Sequence, residues 1–332
     1  MKMRKNSING LIFIILLFIL SSCSYDYSIT TVPEEGGMKF HKITDRKDVV
    51  LGNIVMDLEE ELDEGLVWSG ASSIDYSKSA KRIAFVGKKN NKKNVFIKNV
   101  EKGQTTTQRT FRTDVDGVAF SSDGEDIAFV DYYSKTWDIF TINATKGAAI
   151  RQITQSPAEE RNPVFAPDDK KIYFEKSSSR LKNYIWSYNI KTGMLTQIAE
   201  GSQPDVSPDG SKLYVTRFNK ETENTEIWSI DLETGKESII LSDDKKGFST
   251  PKVSPNGEYL LIVGTSPREE DRPRNLDLYR IKINGTNLTQ LTFHGGHDNS
   301  PSWGKNNKTI YFVSQRGNEE GRYNIWSIEL QN

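Results

Sequence analysis

Pro204-Asp205-Val206-Ser207-Pro208-Asp209-Gly210-Ser211-Lys212-Leu213-Tyr214-Val215 is the stretch whose reading decides the fold. Proline presets the φ of a turn, aspartate closes it with a side-chain hydrogen bond, and glycine accepts positive φ. An apolar strand follows at once, so the stretch reads as two short strands joined by a tight turn. The same order recurs in Pro163-Val164-Phe165 with Pro167-Asp168-Asp169 and Lys171-Ile172-Tyr173-Phe174, and in Pro251-Lys252-Val253 with Ser254-Pro255-Asn256-Gly257 and Tyr259-Leu260-Leu261-Ile262. It recurs again in Pro301-Ser302-Trp303 with Thr309-Ile310-Tyr311-Phe312. Ser122-Asp123-Gly124 with Asp126-Ile127-Ala128-Phe129, and Lys81-Arg82-Ile83-Ala84-Phe85 after a weaker turn, complete six copies.

Downstream of each copy lies a branched or leucine residue and an aromatic one, preceded by a polar or aromatic position: Asn94-Val95-Phe96, Asp138-Ile139-Phe140, Tyr184-Ile185-Trp186, Glu226-Ile227-Trp228, Asp277-Leu278-Tyr279 and Asn324-Ile325-Trp326. The aromatic positions are spaced 44, 46, 42, 51 and 47 residues apart. A fourth segment follows a short turn in several copies, as in Arg151-Gln152-Ile153-Thr154 and Thr289-Gln290-Leu291-Thr292. Four short strands per period predict an all-β chain, a six-bladed β-propeller of four-stranded antiparallel blades. The periodic aromatic residues are then inter-blade core rather than a ligand cage. After Asn324 the chain has no room for a fourth strand, and Lys39-Phe40-His41-Lys42-Ile43-Thr44 carries the fourth-strand pattern near the other end. This predicts that the N-terminal strand closes the last blade and removes an open sheet edge. No window sustains a helical apolar period apart from a possible short stretch over residues 57–66.

The Pro204-to-Gly210 motif with its following strand resembles the WD-like Pro-Asp repeat of the TolB-like β-propeller family, and the copy at residues 301–316 is especially similar to it. The resemblance spans roughly residues 70–330. The family's name-giving member carries a separate α/β domain before its propeller; only about 45 residues lie here between Cys23 and the first blade, so the resemblance is to the propeller without that domain. Related blades also occur in oligopeptidases and in oligogalacturonide lyases. The resemblance therefore implies fold more firmly than chemistry.

The chain opens with Lys2, Arg4 and Lys5, an apolar run at residues 11–20, then Ser21-Ser22-Cys23. That pattern is a secretory signal peptide over residues 1–22, its apolar run about half what a membrane span needs. Leu20-Ser21-Ser22-Cys23 resembles a bacterial lipobox, which implies lipidation at Cys23, the only cysteine. Ser24 after it implies, by resemblance to proteobacterial lipoproteins, an outer-membrane anchor facing the periplasm or the cell surface. Residues 23–38 are then a lipidated linker and 39–332 the propeller. The formal net charge is −1, and removal of the leader leaves 41 basic against 45 acidic residues. That balance argues against a nucleic-acid partner.

Chemistry is sparse. There are three histidines and no Gly-x-Ser-x-Gly nucleophile elbow. His294 and His297, in Phe293-His294-Gly295-Gly296-His297-Asp298, could hold a divalent metal on the channel face. This is the sharpest enzymatic reading, a metal-dependent polysaccharide-active enzyme resembling oligogalacturonide lyases. A polar loop that merely turns on its glycines explains the same residues, since neither a third ligand nor a paired base is visible. No catalytic residue and no cofactor is assigned. Asp114-Val115-Asp116-Gly117 has part of a calcium-loop spacing but lacks its later oxygen ligands. The connections between second and third strands vary most, and they share a face with Arg161, His294, His297, Asp298 and Arg316. Variable loops on a rigid scaffold usually carry specificity. The sequence thus predicts a monomeric envelope lipoprotein that binds a protein or peptide on this face and meets the membrane through its lipid.

Overall fold

In a computed structural model the described residues are 34–35, 37–44, 74–100, 106–112, 114–145, 149–179, 182–266, 275–317 and 323–331. They form six antiparallel sheets and no helix. Blade one consists of Ile74–Ser77, Arg82–Lys89, Lys92–Asn99 and Thr106–Gln108, each strand beside the next. Blades two to five repeat this order: their first strands are Val115–Phe120, Glu160–Phe165, Ser202–Val206 and Phe248–Val253. Blade six takes Asp298–Trp303, Thr309–Ser314 and Asn324–Glu329 from the C-terminal end and Met38–Lys42 from the N-terminal end, with Glu34–Glu35 added outside. The first strands touch in succession, and that of blade six touches that of blade one, so the ring closes.

The predicted closing strand is where the sequence placed it. Phe40 faces Ile328, His41 faces Ser327 and Lys42 faces Trp326, and the amide of Ile43 donates to the Ile325 carbonyl at 2.8 Å. Phe40 meets Phe312 edge-on at 6.2 Å. The signal peptide, Cys23, most of the linker and the possible helical stretch at 57–66 lie outside the described residues.

The turn chemistry explains the strand ends. Gly124, Gly210 and Gly257 hold φ of 75°, 72° and 74° in the turns between first and second strands, while Asp169 and Asn307 adopt 55° and 56° at the same position. Aspartate and asparagine are among the few side chains that tolerate this region, which is why the glycine-free copies still turn. The turns also latch to one another: Asp169 accepts from the Ser122 amide at 2.8 Å, and Asn307 from the Asn256 amide at 2.9 Å.

The Thr ending the fourth-strand pattern has a physical role. Thr44, Thr110, Thr154 and Thr292 each accept, at 2.9 Å, the amide of Ile325, Val95, Ile139 and Leu278 in the neighbouring third strand. Thr44, Thr110 and Thr292 also bond the polar residue before that amide, Asn324, Asn94 and Asp277. The polar position of the aromatic motif and the Thr of the fourth strand are two halves of one lock. The core lies between blades: Phe96 packs with Tyr311 and Ile325 of the preceding blade, and Tyr279 with Tyr214 and Ile227.

Candidate functional site

The channel is lined by the first strands, each of which presents an open edge of backbone amides. In blades one, four and six a side chain at one fixed position, two residues before the Ser or Gly that opens the turn, answers this need for the next blade. Asp75 accepts the Phe120 amide at 2.8 Å, Asp205 accepts the Val253 amide at 2.7 Å, and Ser302 accepts the Tyr76 amide at 3.0 Å. Ser302 also donates to Asp75 at 3.1 Å, and the Lys252 ammonium lies 3.7 Å from Asp205. Asp75 and Asp205 are therefore inter-blade clasps. Burial pushes both Asp75 and Asp205 above the ordinary carboxylate range, an effect that Lys252 and the donated amides partly offset.

Closer to the mouth each first strand of blades two to six carries a bulge, centred on Gly117, Asn162, Gln203, Thr250 and Ser300, all at positive φ between 48° and 55°. A bulge re-aims the side chains beside it. Glu175 in blade three receives the Asn162 amide group at 2.8 Å and the Gln203 backbone amide at 3.1 Å, and the Gln203 side chain in turn accepts the Thr250 amide at 3.0 Å. These bonds keep Glu175 hydrogen-bonded although burial raises its proton affinity.

At the mouth itself Arg161 and Asp116, from neighbouring first strands, form an ion pair at 3.2 Å, both partly exposed. The Arg161 guanidinium lies 4.5 Å over the Trp137 ring and also reaches Glu159 at 3.4 Å. Desolvation raises the Asp116 carboxyl and Arg161 opposes the rise. Asp114 pairs instead with Lys93 at 3.1 Å, so the two aspartates of the calcium-like spacing are both spent on cations. A cationic plane beside an indole and a carboxylate can grip a polar main chain or a carboxylate from a ligand.

The other residues singled out from sequence are placed differently. Arg316 is 5 % exposed and Asp298 is 0 % exposed, and they pair at 2.6 Å. The Arg316 plane lies 3.8 Å over Phe40 and 5.3 Å over Phe312, so it stacks on the closing strand beneath the surface. The His294 Nδ1 accepts the Gly296 amide at 3.0 Å, and its carbonyl accepts from the Asn275 side chain at 2.7 Å. His297 is held by its amide on Gln315 at 3.0 Å, and burial lowers its pKa despite the neighbouring Asp298. Among the described residues no three His, Cys, Asp or Glu side chains gather as a metal site. Arg161 is thus the singled-out residue at an accessible mouth. Its partners Asp116 and Trp137 were legible only through strand order, since they stand 45 and 24 positions away. Of the variable connections, residues 180–181, 267–274 and 318–322 are outside the described set.

Comparison with known proteins gives a consistent result. A family model described as the TolB β-propeller domain matches residues 70–271 and 202–332. The Tol-Pal system protein TolB of Francisella tularensis subsp. holarctica is 26 % identical over 223 residues, covering 64 % of this chain and 49 % of that protein. The chain therefore spans about half the length of the curated relatives it matches. Among solved structures, TolB from Acinetobacter baumannii superposes with a TM-score of 0.58 at 21 % identity over 70 % of this chain and 56 % of that one. An oligogalacturonate lyase from Vibrio parahaemolyticus gives 0.56 at 13 % identity over 90 % and 95 %, a likeness of fold alone.

Proposed function

Because the chain belongs to the TolB β-propeller family, we propose that it is a binding module of the cell envelope that receives an extended segment of a protein partner at its channel mouth. The observation that carries this reading is the Arg161–Asp116 pair, with Arg161 stacked over Trp137, a partly exposed charge pair on two adjacent first strands. Burial of one such pair against a partner couples shape to charge, the usual basis of a specific contact. The relatives named as Tol-Pal system proteins support an envelope setting, and the lipobox-like Leu20-Ser21-Ser22-Cys23 supports a lipid tether that keeps the propeller at a membrane. The polysaccharide-active reading finds support in fold alone, since among the described residues no third His, Cys, Asp or Glu gathers with His294 and His297.

The test is affinity capture from envelope extract, comparing the wild-type chain with Arg161→Ala and with a replacement of residues 293–298. A discrete partner whose recovery falls at least about tenfold with Arg161→Ala supports the reading, the loss expected when one side of a desolvated charge pair is truncated. Equal recovery with both variants removes the mouth as the site.

A further inference from the structure

Blades one and two carry a feature that the mouth does not use. The second and third strands of blade one meet in a hairpin in which Lys88 stands opposite Lys93 and Lys89 opposite Lys92. Like charges directly opposed across a ladder destabilise it. Lys93 is answered by Asp114, whereas Lys88, Lys89 and Lys92 are exposed and form no ion pair among the described residues. Beside them stand Phe111, 81 % exposed, and Tyr132 and Tyr133, 46 % and 47 % exposed, with Lys135 at the tip of the second hairpin. Arg112 bridges the group, its plane 5.9 Å over Tyr133 and its Nε 3.1 Å from Asp131.

Both hairpin tips are two-residue turns with both central residues at positive φ, Asn90 and Asn91 at 52° and 61°, Ser134 and Lys135 at 53° and 74°. This turn type matches the twist of its strands and holds the tip firmly. The two firm tips thus carry exposed lysines together with Phe111 and the half-exposed rings of Tyr132 and Tyr133. Aromatic rings at headgroup depth flanked by lysines are how proteins meet a charged bilayer.

We propose that this surface docks on an anionic membrane surface, the lysines against lipid phosphates and Phe111, Tyr132 and Tyr133 at headgroup level. Tyr132 packs at 5.3 Å against Trp137 of the mouth, so the test is made on the lysines and Phe111, which stand apart from the Arg161–Asp116 pair.

The experiment is vesicle co-sedimentation of residues 24–332, which hold every described strand and lack the lipid. Phosphatidylcholine vesicles are compared with vesicles carrying about 30 mol % phosphatidylglycerol, at about 0.05 and about 0.5 M salt, across which charge attraction is largely screened. Sedimentation only with the anionic vesicles, lost at high salt, is expected. Each lysine is worth about fivefold in partition, so Lys88→Gln with Lys89→Gln and Lys92→Gln lowers binding about a hundredfold. Phe111→Ser lowers it separately while keeping the salt dependence. The lysine variant relieves opposed charges, and an unchanged or raised thermal midpoint shows that loss of binding is not loss of fold. Absence of sedimentation, or binding that ignores these substitutions, overturns the proposal. Binding to polyglutamate without binding to vesicles overturns it in favour of an acidic protein partner.

Discussion

Replacing Arg316 by methionine probes the closure of the ring at one atom group. Asp298 is 0 % exposed and its Oδ2 is bonded to Arg316 at 2.6 Å, while Oδ1 has no hydrogen-bond partner among the described residues. Methionine keeps much of the stem packing on Phe40 but leaves a buried carboxylate without its cation. Breaking such a pair from one side costs about 3–5 kcal/mol. With an unfolding entropy of about 2.1 cal/mol/K per residue, a propeller of this size has about 0.6 kcal/mol/K at its midpoint, so the loss corresponds to about 5–8 °C. Because the lost plane stacked on Phe40, the strand Met38–Lys42 should also become the first point of limited proteolysis. Adding Asp298→Asn removes the stranded charge and should return most of the midpoint. The assay is calorimetry of the two single variants and the double variant, with proteolytic mapping of the N-terminal strand. A shift below about 1.5 °C for Arg316→Met, well under the expected range, or a double variant no more stable than the single one, contradicts this role for the pair.

Three further outcomes follow from the same geometry. Asp205→Ala leaves the Val253 amide without its acceptor and should cost about 1–3 kcal/mol, whereas Asp205→Asn should cost less; chemical denaturation of the pair checks this. Thr154→Val removes the hydroxyl that accepts the Ile139 amide and should cost about 1 kcal/mol without disturbing blade order, read by the same assay. Burial raises the Asp75 carboxyl, so the folded state holds that proton more tightly than the unfolded one, and its contribution is full below about pH 3.8 and lost as pH rises through the raised value. Asp75→Asn should therefore gain stability over wild type progressively as pH rises above about 4, with the two midpoints converging in acid; a pH-independent difference would contradict the assignment.

The blades were legible because each is built from local chemistry. Turns with Pro, Asp and Gly mark the strand ends, and where glycine is absent Asp169 and Asn307 take its conformation. Even the closing strand could be read, since Ile43-Thr44 repeats the lock that Thr110, Thr154 and Thr292 make. What escaped was decided between blades. Arg316 reads as an exposed loop residue until Phe40, from the far end of the chain, is placed under it. Asp205 reads as one more polar strand residue before the turn until the open amide of Val253 is seen beside it. The lysines at 88–93 read as ordinary solvated surface, and their weight came from being opposed across a hairpin whose neighbour carries Tyr132 and Tyr133. The bulges at Asn162, Gln203, Thr250 and Ser300 each precede a proline, a signal present in the sequence whose effect on side-chain direction needs the ladder to interpret.

The central claim is that a partner is received at the channel mouth. Site-specific photocrosslinking tests it most directly, with the crosslinker placed at Glu159, an exposed side chain beside Arg161 at the mouth, or at Lys191, in an exposed turn between third and fourth strands on the opposite face. A discrete protein adduct is expected from Glu159 that disappears with Arg161→Ala, and none from Lys191. An adduct from Lys191 alone, or a Glu159 adduct that survives Arg161→Ala unchanged, would contradict it.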